Sequence, residues 1–345
     1  MRKQLTVLLL LVVAFSLNAV DWNFYGSARM TYFYEQSSKE LAGNGEDTRL
    51  SLNYGLQGNS RFGAVIKHEN YMGKIEMGLS SSNVALRQVY AEVDKGSWKF
   101  LAGQTYTGFS DFPDQVCDSD WDLIGFGMFY DGRKPMIKLS FTNGAYLIFM
   151  QPNKVDPAGE LNAIDALLPK INFGYKYKKD AIYLHPTFGI NMCKYNKDFS
   201  DTELDDSMMA YAFAITFGYK VNEMMSLLAQ ANYGANVKDY GIIINDLPGN
   251  QYYNLEGDLE DVITSGGFFQ IKYDKFTAGL GYQQSDLDAL DDADAQMSVY
   301  GNYKITICEK MFMQPEVGII DFMEDGSGNK QGNLLYFGFK LQGDL

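Results

Sequence analysis

Beyond residue 19 the chain has no apolar run approaching the roughly 20 residues that a membrane-spanning helix requires. Positive charge is also scarce. Lys and Arg number 29 against 43 Asp and Glu, and the formal net charge of -14 argues against nucleic acid and other polyanionic partners. The 3 cysteines, Cys117, Cys193 and Cys308, show no metal-like spacing. Their odd count implies no disulfide framework, although one pair could form. Histidine is nearly missing: His68 and His185 stand alone, without a Ser or Asp partner at an interpretable spacing. No chemical step is therefore expected, and no cofactor or metal is assigned.

What is present begins with an export signal. Arg2 and Lys3 precede LTVLLLLVVAF, an apolar core too short to span a bilayer comfortably. Cleavage after Ala19 is expected, with Ser16 as the second choice, and no cysteine lies near either point to take a lipid anchor. Residues 1–19 read as a leader and 20–345 as one exported domain. Aromatic residues and glycine are abundant, with 24 Tyr, 23 Phe and 34 Gly, a composition that favours strands over helices.

Those residues alternate. In the stretch LPKINFGYKYKKDAIYLHPTFGI, Ile171, Phe173, Tyr175 and Tyr177 share one parity. After KKD the large side chains Ile182, Leu184, Phe188 and Ile190 share the other. Period two marks a strand with two unlike faces, and the tight connection marks a hairpin. The same test gives Trp22, Phe24, Ala28, Met30, Tyr32 and Tyr34 near the start, Met209 to Tyr219 in the middle, and Leu335, Phe337, Phe339 and Leu341 near the end. Small and polar residues stand behind nearly every apolar face. A secreted sandwich would bury those faces between two sheets. Hydrocarbon can cover them instead.

The connections decide between these. Short ones (68–72, 94–97, 142–144, 178–180, 221–223, 274–275 and 306–310) alternate with others that are mostly much longer: 36–60, 81–84, 105–123, 152–168, 196–206, 236–261, 285–294 and 321–332. Joined this way the strands predict an all-β, transmembrane, antiparallel up-and-down barrel of about 16 strands, with every backbone donor and acceptor satisfied by closure. Such a barrel belongs in the outer membrane, among lipids that include lipopolysaccharide.

The third long connection, TYTGFSDFPDQVCDSDWD, carries Asp111, Asp114, Asp118, Asp120 and Asp122 and no basic residue. With FYGSARMTYF near the start, NSRFGAVIK, LRQVYAEV and GQTYTGF leading into that connection, the chain resembles the trimeric Gram-negative general porins. The terminal QGDL departs from the aromatic end usual in that family. The resemblance implies a homotrimer, a third loop folded inward to narrow the pore, and basic side chains on the facing wall. Parity puts Arg29, Arg61, Lys67 and Lys138 on the non-lipid face. Arg87 matches a wall arginine of the family within LRQVYAEV, yet simple alternation puts Val89, Ala91 and Val93 on its face, so its orientation stays open.

Acidic loop against basic wall would make a transverse field favouring small polar solutes. The expected activity is passive diffusion of ions and small hydrophilic solutes, with modest cation selectivity from the loop acids and the acidic runs at the mouth. Two other readings stand beside it: a substrate-selective channel, which needs an aromatic track that Tyr25, Tyr183, Phe268 and Tyr300 do not form, and a plugged barrel serving as an adhesin or anchor. The runs 198–206 and 286–294 suit solvated loops better than calcium sites.

Overall fold

The computed structural model describes residues 20–43, 48–80, 83–152, 164–195, 207–244, 260–288 and 290–345. The expected leader lies outside them. Sixteen antiparallel strands close into one barrel. The first quarter consists of β1 (Asp21–Ser37), β2 (Arg49–Leu56 continued by Arg61–His68), β3 (Tyr71–Leu79) and β4 (Val84–Asp94). Next come β5 (Trp98–Tyr106), β6 (Arg133–Phe141), β7 (Ala145–Met150) and β8, which runs through Ile164–Ala166, Lys170–Tyr175 and Tyr177–Lys179. The third group is β9 (Ile182–Tyr195), β10 (Ser207–Lys220), β11 (Met225–Ala235) and β12 (Ile263–Tyr273). The last is β13 (Phe276–Asp286), β14 (Asp294–Tyr303 and Ile305–Cys308), β15 (Met311–Asp321) and β16 (Asn333–Asp344). Closure is made by β1, whose Thr31 pairs with Lys340 of β16 while its other edge pairs with β2. Among the described residues the sheet closes on itself and leaves no open edge for another chain to extend.

The barrel is inside out relative to a soluble protein. On β10, Met209, Phe213 and Phe217 are exposed, while Ala210, Ala212, Ala214 and Thr216 between them are buried. On β16, Leu335 and Phe337 are exposed and Tyr336 is fully buried. A belt of large apolar side chains on a closed barrel is a surface that hydrocarbon covers and water does not.

Several boundaries differ from those expected: strand extends into the connections expected at 152–168 and 306–310, with Ile164–Ala166 and Ile305–Cys308, and two further differences bear on the lumen. RLSLNYGL, read as loop, is strand: Leu50, Leu52 and Tyr54 face outward, and residues 49–56 pair with β1 before an interruption at 57–60. The third long connection ends at 132, because β6 starts only at Arg133. There Gly125 and Gly127 adopt positive φ, and Ile124 bridges Met128 in place of a wall strand. All three cysteines are free, Cys117 and Cys193 buried and Cys308 exposed.

Candidate functional site

Four arginines from the first six strands converge on a cavity of about 750 Å³: Arg29 on β1, Arg61 on β2, Arg87 on β4 and Arg133 on β6. Glu76 of β3, buried behind them, accepts hydrogen bonds from Arg87 Nε at 2.8 Å, Tyr25 Oη at 2.8 Å and Gln88 Nε2 at 3.1 Å. Arg87 also donates to Asn59 Oδ1 at 2.9 Å and Tyr106 Oη at 3.0 Å, and Arg133 donates to that same hydroxyl at 3.1 Å. One buried carboxylate thus holds Arg87 extended, and a shared tyrosine fixes Arg133 beside it.

The orientation that alternation left open is settled by a bulge. Glu76 pairs with Gln88 and the next residue, Met77, pairs with Leu86, so Arg87 is the extra residue. Consecutive Arg87 and Gln88 are both buried, after which Val89 returns to the outside. An inserted residue reverses parity within one strand, and this one aims a guanidinium inward.

Residues 107–132 bond to inward-facing side chains across the opposite half of the barrel. Gln270 and Tyr300 accept from the Asp114 amide at 2.6 and 3.2 Å, and Asn302 donates to its carbonyl at 2.6 Å. The Glu316 carboxylate takes the amides of Val116 and Cys117, each at 2.8 Å. Gln296 donates to Gly125 O at 2.6 Å, Asn232 to Gly127 O at 2.5 Å, and Asn172 accepts from the Gly108 amide at 2.8 Å. A segment without regular structure must satisfy its backbone somewhere, and here wall amides do so. The approach is close enough that a Cβ on Gly281 would overlap the Phe126 carbonyl.

The acids of this segment divide by partner. Asp120 reaches Arg29 Nη1 at 2.6 Å and Lys340 Nζ at 2.7 Å. Burial pushes its carboxyl up, but Lys340 and Arg29 outweigh burial and hold it below the ordinary value. Asp122 has the reverse balance: burial, reinforced by the neighbouring Asp120 charge, holds it well above. Asp114 is 3.6 Å from Lys272. Asp111 does not line the cavity and bonds instead to His185 Nδ1 at 2.5 Å and Tyr183 Oη at 2.7 Å. His185 Nε2 lies 2.9 Å from Thr187 Oγ1 and 2.8 Å from Tyr146 Oη. His185, Thr187 and Tyr146 are buried, Asp111 and Tyr183 are half-buried, and none of them lines the cavity, so this chain of hydroxyls, imidazole and carboxylate anchors the segment. The side chain of Asp118 lies outside the described residues.

Two of the expected wall bases are elsewhere. Lys67 is exposed at the end of β2, beside the turn at 69–70, and Lys138 sits with its ammonium 5.0 Å over the Tyr146 ring. Neither lines the cavity. Four unexpected ones do: Arg133, Lys272, Lys304 and Lys340. Lys340 was within reach of the sequence, since it alternates with Phe339 and Leu341. Arg133 was hidden by the misplaced start of its strand. The run 198–206 is outside the described residues, and among those described no three metal-ligating side chains gather.

A second segment also turns against the inner wall. Asn236, in a left-handed conformation, starts a single helical turn, α1 (Val237–Tyr240), closed by Gly241 at φ 102°. Val237 and Tyr240 pack on Ala210, Ala212 and Ala214, whose small side chains leave the room. Tyr240 meets Phe109 edge to face at 5.6 Å. Between the two segments Lys170 pairs with Asp131 at 2.7 Å and also donates to the Tyr240 carbonyl. Burial, only partly offset by Lys170, pushes the Asp131 carboxyl up to about 6.

Solved structures share this architecture along nearly the whole chain. An outer-membrane channel of Acinetobacter baumannii, DcaP, superposes with a TM-score of 0.73 at 18% identity, covering 96% of this chain and 99% of that one. The fold is that of the outer-membrane porins. Other porin-fold relatives are the OmpT outer-membrane protein of Vibrio cholerae in its trimer form (TM-score 0.60, 15% identity, 95% and 100% covered) and an anion-selective porin from Comamonas acidovorans (0.61, 11%, 94% and 100%). No family model and no curated protein sequence matches the chain. The porin likeness is thus one of backbone path, carried by strand number and closure.

Proposed function

We propose that the chain is a passive outer-membrane diffusion channel, a homotrimer embedded among lipids that include lipopolysaccharide, in which residues 107–132 form the constriction and small anions pass in preference to cations. The observation that carries this is the charge around the cavity. Arg29, Arg61, Arg87, Arg133, Lys272, Lys304 and Lys340 face Asp114, Asp120 and Asp122. Seven bases against three acids leave an excess of positive charge even after Glu76 is set against Arg87.

This reverses the cation preference expected from the sequence. That expectation counted all five loop acids and only the bases whose parity could be read. Asp111 lies outside the cavity against His185, whereas Arg133, Lys272, Lys304 and Lys340, unassigned from the sequence, line it. Acidic runs at the mouth act over a screening length of only about 8 Å at physiological salt, whereas charges in a constriction lie within that distance of a passing ion. No chemical step is involved.

Proteoliposome swelling tests the reading. Uncharged arabinose should enter, and glutamate should enter faster than lysine. Vesicles impermeable to all three would favour a plugged barrel, and faster lysine entry would defeat the anion preference.

A further inference from the structure

The cavity lining mixes two chemistries. Guanidinium groups supply one. Residues 107–132 supply the other with Phe112, Trp121, Ile124 and Tyr130, all half-buried, of which Phe112 and Tyr130 lie against Tyr106, the ring beside Arg87 and Arg133; the second inward segment adds Ile243, which is 55% exposed. Part of this apolar surface belongs to the segment's own packing: Trp121 stacks on Phe126 at 6.1 Å and Phe112 meets Tyr130 edge to face at 5.1 Å. The rest is turned to the lumen. Water-filled passages for freely hydrated ions gain nothing from half-exposed aromatic rings, and each such ring adds to the free-energy cost of wetting the lumen.

We infer that the constriction favours anions with an aromatic body, aromatic monocarboxylates being the class that fits, their carboxylate on the arginines and their ring against Trp121 and Phe112. The inference rests on the anion-favouring channel proposed above and names its solute class. The arginines have capacity to spare. Arg61 donates from Nε to Asn59 O at 3.0 Å, and its two terminal nitrogens have no hydrogen-bond partner among the described residues. They form a planar fork matched to a carboxylate. Cation and ring already pair within the wall in the way such a solute would extend: the Arg133 guanidinium lies 5.2 Å over the Tyr106 ring, and Lys304 Nζ lies 3.9 Å over Phe312. A benzoate-like ion would continue this sequence of cation and ring, losing water from its apolar face while its charge stays paired.

Benzoate and glucuronate test this directly, since both are ring carboxylates of single charge and only one ring is apolar. Bi-ionic zero-current potentials against chloride in planar bilayers give each permeability, and uncharged benzoic acid crossing the lipid contributes no current. The expected result is a benzoate-to-glucuronate ratio about three- to tenfold above the ratio of their free diffusion, the range of one aromatic contact. In the Trp121→Ser, Ile124→Ser double variant that ratio should fall to the free-diffusion value. The reading is a ratio within each protein, so a change in conductance common to both solutes cancels. Heat-dependent gel mobility confirms that the barrel has formed. A wild-type ratio no higher than free diffusion, or a ratio untouched by the double variant, overturns the inference while leaving the anion preference intact. Preference for potassium over chloride would instead remove the reading on which it rests.

Discussion

The two halves of the inner wall are built from different chemistry and do different work. From β8 round to β15, the inward side chains that touch residues 107–132 are mostly neutral amides and hydroxyls: Asn172, Gln230, Asn232, Gln270, Gln296 and Ser298. From β1 to β6 they include four arginines that leave guanidinium groups facing the cavity. Amides can both donate and accept, so one wall can satisfy an irregular backbone of either polarity at each point. Guanidinium groups only donate and stay charged, so the other wall can hold no backbone N–H but can hold an anion. On the proposed reading the amide half chiefly docks the segment and the arginine half chiefly selects; the division is not complete, because Asp120 ties the segment to Arg29 and Lys340, and Lys272 and Lys304 bring charge to the cavity from the amide half.

The largest effect should come from Glu316, a carboxylate of the docking wall that holds the segment's backbone. Glu316 takes two buried backbone amides and also bonds Asn302 at 2.9 Å and Tyr336 at 3.3 Å. Glu316→Ala strands both amides at roughly 1 to 3 kcal/mol each. Residues 107–132 should then detach, single-channel conductance should rise severalfold and ion preference should collapse. A variant with wild-type conductance would show that this carboxylate does not hold the segment. Gly281→Val presses on the same segment from the wall, and by displacing the Phe126 carbonyl it should alter conductance while the strands stay paired.

On the selecting wall, Arg61→Gln with Arg133→Gln removes two of the excess charges. The anion preference should fall towards neutrality at little change in barrel stability. Changing Asp111, Asp114, Asp118, Asp120 and Asp122 together to Asn should do the opposite and raise it. If the five-Asn variant became less anion-selective, the wall bases would not dominate the constriction.

Acidity supplies a smaller test. Asp122 is held above the usual carboxylate pKa by burial and by Asp120, so it takes up a proton at a higher pH than a free aspartate would. Falling pH therefore removes a negative charge from the lumen while Arg29, Arg61, Arg87 and Arg133 keep theirs. Anion preference should increase as pH is lowered through the range in which Asp122 takes up its proton, and Asp122→Asn should weaken that dependence. The smallest effect is a near-absence: Lys67→Gln, at an exposed strand end, should change selectivity within experimental error.

How far the sequence carried these assignments depends on the range of each signal. Period two is local, and it reported the strand faces from Phe24 to Phe337 and the number of hairpins. It failed where one residue was inserted, at Arg87, because a bulge is a property of two paired strands and leaves no trace in either alone. It also failed at RLSLNYGL, whose alternation is present but whose arginine and asparagine resemble loop composition. Long-range pairing was beyond it: Asp111 with His185 spans 74 positions and Val116 with Glu316 spans 200. Charge sign was legible residue by residue, but the set of charges around the cavity was not, because it depends on which acids and bases the fold brings together there.

The zero-current potential of the wild-type protein across a potassium chloride gradient, taken at low salt where screening is weak, tests the division of the wall most directly. An arginine wall that selects predicts a potential of the sign set by chloride, shrinking as salt is raised. A potential of the sign set by potassium would contradict it, because the loop acids, and not the arginines facing them, would then govern what passes.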